Sequence, residues 1–325
     1  MSVPMASTLS EQIAVKATGP DEFCSLFPPA RGANQLGIAY GGCTMSIGVH
    51  AAYHTVKPGY NLYSVLGHFL GPTRTDRTLT CRVQRLRDTR TFATRRVDVW
   101  QSLPSGEQRL CMTLQADFHI NEPAMMEYSA PPKGRYSDWS QCPRVEKLAE
   151  DLLAKGHITE EDARAYRHTT SVLLSFFENR FCPEGIWGQN LGGAAKQLRT
   201  TQDHLPITSK TSGDWFRTAQ PLTSRAEHLA ALAFMMDAGP SFMPLIHDHK
   251  GMHDAGAAST LDFALRVFVN DVDMTRWHLR ERMTRTAGVA RNYAESRIWD
   301  ESGKMVASMT QQCMLRPKPR TGAAL

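Results

Sequence analysis

The sequence predicts an α+β protein in which one motif occurs twice: a long central helix wrapped by an antiparallel sheet, the two copies joined by a helical linker. Three observations carry this reading. Two segments, Cys43–Thr55 and Arg225–Asp237, are apolar or small on almost every side, as expected of a helix buried all round. Each is followed by four strand-like runs separated by turn signals. The closing hairpins of the two halves also match in texture, Trp100 against Trp299, Ser105-Gly106 against Ser302-Gly303, and Cys111–Phe118 against Val306–Cys313. No βαβ spacing occurs, which argues against a doubly wound parallel sheet.

In chain order, the Gly41-Gly42 pair opens the first central helix and Lys57-Pro58-Gly59 stops it. Strands are predicted over Leu62–Leu70, Leu79–Leu86, Thr91–Gln101 and Gln108–His119. The third alternates Phe92, Thr94, Arg96, Asp98 and Trp100 with Ala93, Arg95, Val97 and Val99, the period of a half-solvated strand. Pro104 and Gly106 mark the hairpin turn that follows. Residues 121–140 read as loop and 143–180 as helical, with a capping pattern at Thr159-x-x-Asp162. Residues 183–222 read as a polar connector. The second central helix stops at Ala238-Gly239-Pro240, and strands are predicted over Ala258–Val269, Trp277–Arg285, Gly288–Asp300 and Lys304–Leu315. The expected division is 1–135 for the N-terminal domain, 136–204 for the helical and irregular linker, and 205–325 for the C-terminal domain.

Composition narrows the function classes. At roughly 150 residues per domain, 325 residues correspond to about two domains. A formal net charge of +5 is too mild for a dedicated nucleic-acid binder. Seven cysteines without a single Cys-x-x-Cys suggest neither a zinc knuckle nor a disulfide framework, so no metal is expected. The first residues lack a basic stretch and an apolar run, and no apolar run approaches the roughly 20 residues of a membrane helix. The expected setting is cytoplasmic, with neither nucleic acid nor membrane as partner. The terminal Gly-Ala-Ala-Leu is not of the peroxisomal Ser-Lys-Leu type.

Several motifs are more specific than the element pattern. The first half contains Tyr40-Gly41-Gly42, His68-Phe69-Leu70-Gly71-Pro72, and a run from Leu86-Arg87-Asp88 through Phe92 to Arg95-Arg96-Val97. The connector contains Asp214-Trp215-Phe216-Arg217 and Pro221-Leu222. The second half contains Ala231–Asp237, Ser259-Thr260-Leu261-Asp262 and Met309-Thr310-Gln311-Gln312. Together they resemble the type II acyl-CoA thioesterase family, whose members are double hot-dogs. The run from Leu86 to Val97 is the most specific, close to the family's Leu-Arg-Asp-Gly-x-Ser-Phe-x-x-Arg-Arg-Val.

The resemblance implies a catalytic aspartate at Asp237, a catalytic hydroxyl at Thr260 and a catalytic glutamine at Gln311, acting together on a water. It implies an acyl-CoA or a carrier-bound acyl thioester as substrate, coenzyme A entering only as part of that substrate, and no separate cofactor. Thioester hydrolysis needs a positioned water, a base for its proton, and a donor aimed at the developing oxyanion. The absence of a Gly-x-Ser-x-Gly elbow fits a water-directed route. For the oxyanion donor, the backbone N–H groups of Gly41, Gly42 and Cys43 at a helix start are candidates. Cys43 also invites reading as a nucleophile, with a small buried filler as the commoner role. Arg95 and Arg96 are candidates for the phosphates of coenzyme A, against the alternative of a solvated strand face. His247, His249 and His253 have the look of a metal cluster, but their loop setting favours none.

The chain departs from the family around these residues. Cys43 stands where a glutamine is usual, Leu66 where a histidine is usual, and Phe263-Ala264-Leu265-Arg266-Val267-Phe268 where His-Ser-x-Trp-Phe-His is usual. A rebuilt neighbourhood around a retained triad points to a changed acyl group, such as a bulky, oxygenated or polyketide-like chain. Two other readings stay open at this level: an enzyme that transfers or rearranges an acyl group without net hydrolysis, and a non-catalytic acyl-binding protein. A monomer, a homodimer and a tetramer are all compatible with the sequence.

Overall fold

The structure, a computed structural model, describes residues 6–32 and 37–319. A short helix α1 (Leu9–Ile13) precedes the hairpin β1 (Val15–Gly19) and β2 (Glu22–Ser25). The central helix α2 (Gly41–Tyr53) follows, then β3 (Asn61–Phe69), β4 (Thr80–Asp88), β5 (Phe92–Ser102) and β6 (Gln108–His119). The linker carries α3 (Val145–Ala154) and α4 (Glu160–Phe176), the latter running directly into β7 (Phe177–Phe181). After α5 (Ile186–Asn190) come β8 (Ser212–Thr218), the second central helix α6 (Arg225–Met236), and the short α7 (Met243–His247). The chain closes with β9 (Ala255–Val267), β10 (His278–Gly288), β11 (Arg291–Asp300) and β12 (Met305–Pro317).

All the strands belong to one antiparallel sheet of order β1-β2-β4-β5-β6-β3-β9-β12-β11-β10-β8-β7. The order reads as two like halves meeting at β3 and β9, which pair from Ser64↔Arg266 to His68↔Asp262. Each half is a hairpin, a helix and four strands. The fold is thus the double hot-dog that the resemblance implied.

The hairpins are the main addition to the sequence reading. Residues 15–25 are too short and too mixed in polarity to show a strand period. In the second half the stretch from Val172 to Phe177 is apolar apart from Ser175 and shows no clear period, so the change from helix to strand at Phe177 leaves no trace in the sequence. The stretch 183–222, read as a polar connector, likewise holds β8, whose residues are almost all buried.

The two central helices pack against each other inside the curved sheet. Ser46 Oγ sits 2.6 Å from Gly42 O and 2.8 Å from Ala230 O, tying α2 to α6. Tyr40 OH donates to Phe234 O at 2.8 Å. A Cβ on Gly42 would lie 2.4 Å from Phe234 O, so the close crossing depends on that glycine. Around the helices the buried side chains of both halves form one core, including Met45, Val49, Leu114, Leu232, Leu265 and Met309. The segment after β6 runs over the outer face of the second half. There Trp299 Nε1 donates to Ala130 O at 2.7 Å, and the buried Glu281 carboxylate accepts from Gly134 N and Tyr136 OH at 2.7 and 2.8 Å.

Candidate active site

Asp237 is the C-cap of α6, and the chain turns away after it through Gly239, at φ +101°, and Pro240. Its side chain therefore leaves the last turn toward the sheet, with only 8% of the residue exposed. Thr260 Oγ1 donates to Asp237 Oδ1 at 3.1 Å and Gln311 Nε2 donates to the same oxygen at 2.5 Å. The structure thus brings together three residues from α6, β9 and β12.

A register shift makes this possible. On β12 and β9, Gln311 pairs with Phe263 and Gln312 with Asp262, but Cys313 pairs with Thr260, leaving Leu261 as an extra residue. Strict alternation from Phe263 would turn Thr260 outward; the bulge turns it inward beside Gln311. The first half has the same irregularity. Ala116 pairs with Val65 and Phe118 with Leu62, with Tyr63 extra. The positions that correspond to Thr260 and Gln311 are therefore Leu62 and Ala116, and the C-cap of α2 that corresponds to Asp237 is His54. A leucine, an alanine and an imidazole cannot reproduce the donors of the other half.

Burial pushes the Asp237 carboxyl up, to about 6, against the lowering effect of hydrogen bonds from Gln311, Thr260 and the Gly42 N–H. The carboxylate thus sits at the start of α2 as well as at the end of α6. A Cβ on Gly41 would lie 2.9 Å from Asp237 Oδ2 and 3.2 Å from the Phe69 ring, so the close approach of α2 to the carboxylate depends on a bare glycine. Phe69 and Phe263 pack with ring centroids 5.7 Å apart.

The remaining candidates divide. The Gly42 N–H is turned toward Asp237 and lowers its pKa, and the Cys43 and Thr44 N–H groups both bond Tyr40 O. Among the described residues no acceptor takes the Gly41 N–H. Cys43 is fully buried, its thiol accepts from Ala30 N at 3.3 Å, and burial pushes its pKa up to about 12, so it is a filler rather than a thiolate. Arg95 is not at the site. It is 1% exposed and clamps the far end of α2, with Nε on Thr55 Oγ1 at 2.9 Å, Nη2 on Thr55 O at 3.0 Å and Nη2 on Asp88 Oδ1 at 2.6 Å. A helix of 13 residues puts that end roughly 20 Å from Gly41. Arg96 lies on the exposed face of β5 against Asp98 at 3.1 Å. Neither arginine belongs to the constellation around Asp237, because alternation on β5 sends one into the α2 terminus and the other to solvent. His247, His249 and His253 turn to separate partners: Ser212 Oγ, Asp203 Oδ1 and Thr169 Oγ1.

Sequence reasoning passed over Tyr40, Phe69 and Phe263 as site residues, although all three lie inside quoted motifs. It also passed over Asp214, Arg280 and Arg282, whose signal is charge inside strands that are otherwise buried.

Residues 29–119 match the family model of the acyl-CoA thioesterase N-terminal domain, and residues 174–315 match that of the acyl-CoA thioesterase C-terminal domain. Among solved structures the chain is similar to an acyl-CoA thioesterase II, TesB2, from Mycobacterium marinum, with a TM-score of 0.68 and 19% identity over 96% of this chain and 99% of that one. It is similar to a putative thioesterase II from Thermobifida fusca, with a TM-score of 0.67 and 14% identity over 97% and 99%. A putative thioesterase from Novosphingobium aromaticivorans gives 0.63 and 19% over 93% and 98%. At these identities the structural likeness speaks to the fold, and the two domain matches, which together cover more than half of the chain, speak to the family.

Proposed function

The chain belongs to the acyl-CoA thioesterase family and is a thioester hydrolase; from that premise we propose that it cleaves its acyl thioester with a water activated by Asp237. The observation that carries this is the division of the Asp237 carboxylate. Among the described residues Oδ1 is held by Thr260 and Gln311, while no side chain donates to Oδ2, which lies against the bare Gly41. Oδ2 takes a proton from the water as it attacks the thioester carbon, and the Gly41 N–H receives the oxyanion. Collapse of the tetrahedral intermediate releases the thiol, to which the proton on Asp237 is returned. A carboxyl near 6 is largely ionised at neutral pH yet still basic enough to serve. Thr260 and Gln311 fix the carboxylate rather than touch the acyl group, and that is preorganisation of the base.

Phe69, whose ring lies beside Gly41, and Phe263 packed on it supply an apolar wall for the acyl chain. Phe263 stands where the family pattern carries a histidine, and with it we assign the site a bulky or polyketide-like acyl group in preference to a plain fatty chain. The test is thiol release from a panel of acyl thioesters on coenzyme A and on a carrier protein, short to long and plain to branched or aromatic, beside Asp237→Ala. Release that falls by about 10²–10⁴ in the variant is the expected result. Silence of the whole panel would overturn hydrolysis, and full activity on plain fatty acyl-CoAs would overturn the substrate assignment.

A further inference from the structure

Behind Asp237 lies a buried ion cluster that the hydrolytic step does not use. Asp214 of β8 is 0% exposed, and Arg280 and Arg282 of β10 are 2% and 1% exposed. Arg280 forks onto Asp214, with Nε on Oδ1 at 3.1 Å and Nη2 on Oδ2 at 2.8 Å, and Arg282 Nη2 donates to Oδ1 at 2.7 Å. Asn179 Nδ2 adds a bond to Oδ2 at 2.9 Å. Burying such charges is costly, and apolar side chains of similar volume generally serve stability as well or better. The guanidiniums do something apolar side chains cannot. Arg280 Nη1 donates to Met235 O at 2.7 Å and to Ala238 O at 3.2 Å, and Arg282 Nη1 donates to Ala238 O at 3.3 Å. Those carbonyls lie on either side of Asp237. Gly239 makes room for the contact, since a Cβ there would lie 2.5 Å from Arg282 Nη1. Arg282 is stacked 4.2 Å from the Trp187 ring and Arg280 5.2 Å from the Phe216 ring, so neither head is free to swing away.

We propose that Asp214, Arg280 and Arg282 are positioning residues that lock the last turn of α6, so that Asp237 keeps its carboxylate between Thr260, Gln311 and Gly41. The guanidiniums fix the Met235 and Ala238 carbonyls, each one peptide plane removed from those that flank Asp237, and Asp214 holds both guanidiniums still. The role rests on the hydrolytic reading of Asp237. The titratable groups that face Asp237 from the other elements are Tyr40 at the start of α2 and Cys313 on β12, and the cluster approaches it from β10.

The test compares the full-length wild type with Arg282→Met, Arg280→Lys, and the triple variant Asp214→Leu, Arg280→Met, Arg282→Met. The triple variant removes the whole charge cluster and leaves none of its charges buried and unpaired, the cost that a single change incurs. Three readouts are taken: the unfolding midpoint, kcat and KM for thiol release, and the titration of the Asp237 carboxyl by carbon NMR, assigned with Asp237→Asn. The expected result in every folded variant is a kcat lowered about tenfold or more with KM within about threefold. The Asp237 midpoint should also move up, because the bonds from Thr260 and Gln311 that hold it down are loosened. Arg280→Lys, which keeps the charge without the fork, should fall between wild type and triple variant. A folded triple variant with wild-type kcat and an unmoved Asp237 midpoint would overturn the proposal. If the wild type released no thiol at all, hydrolysis would fail, while the carboxyl titration would still decide the positioning role.

Discussion

Asp237 is held where its ionised form is disfavoured, and that has consequences in both activity and stability. Its pKa is raised by burial from an ordinary 3.8 to about 6. If the ionised carboxylate is the base, kcat/KM should climb with pH through a midpoint near 6 and flatten above it, which a pH–rate profile checks directly. For stability the sign follows from the raised value: the contribution of Asp237 is intact below about 3.8 and is lost as pH rises through about 6. Asp237→Asn should therefore be more stable than wild type at pH 8, by up to roughly 3 kcal/mol, with the gain vanishing in acid. Denaturant unfolding at the two pH values measures it, and a variant no more stable at pH 8 would contradict the burial argument. At Cys43 the expectation is inertness. A buried thiol pushed up to about 12 should resist iodoacetamide in the native protein, and Cys43→Ser should keep most of the activity.

The elements place these residues with little slack. The crossing of α2 over α6 needs a bare Cα at Gly42, and Gly42→Ala would set a methyl 2.4 Å from Phe234 O. The helices would have to part, at a cost of about 1–3 kcal/mol typical of overpacking, and the Asp237 carboxylate would lose its place at the start of α2. A melting curve together with an activity assay checks both effects. Much of this level was legible in the sequence. The central helices and the eight strands that follow them show in periodicity and turn residues, and the Asp237, Thr260 and Gln311 set shows in local motifs. Other features were not legible. A bulge adds one residue to a strand without any residue type that announces it, so the inward turn of Thr260 past Leu261 is visible only in the pairing. Arg95 reads as half of a basic pair, yet strand alternation buries it as a clamp on α2. The second hairpin is hidden because α4 passes into β7 within one apolar run.

At the scale of the whole molecule the sheet is continuous through the β3–β9 junction and the core is shared, so the two halves cannot melt independently. Calorimetric unfolding should show one transition for both halves. The two ends of the helix pair nonetheless carry different chemistry, Asp237, Thr260 and Gln311 at one and His54, Leu62 and Ala116 at the other. A thioether analogue of the substrate should accordingly bind at one equivalent per chain in a calorimetric titration. In a pair of identical subunits every substitution is made twice, at both clefts, whether or not both tolerate it. Fusion of the halves into one polypeptide removes that coupling. Phe263 can replace a polar residue beside the reacting oxygen while its opposite number, Val65, remains an ordinary core side chain. The silent cleft is what gives the working one room to diverge.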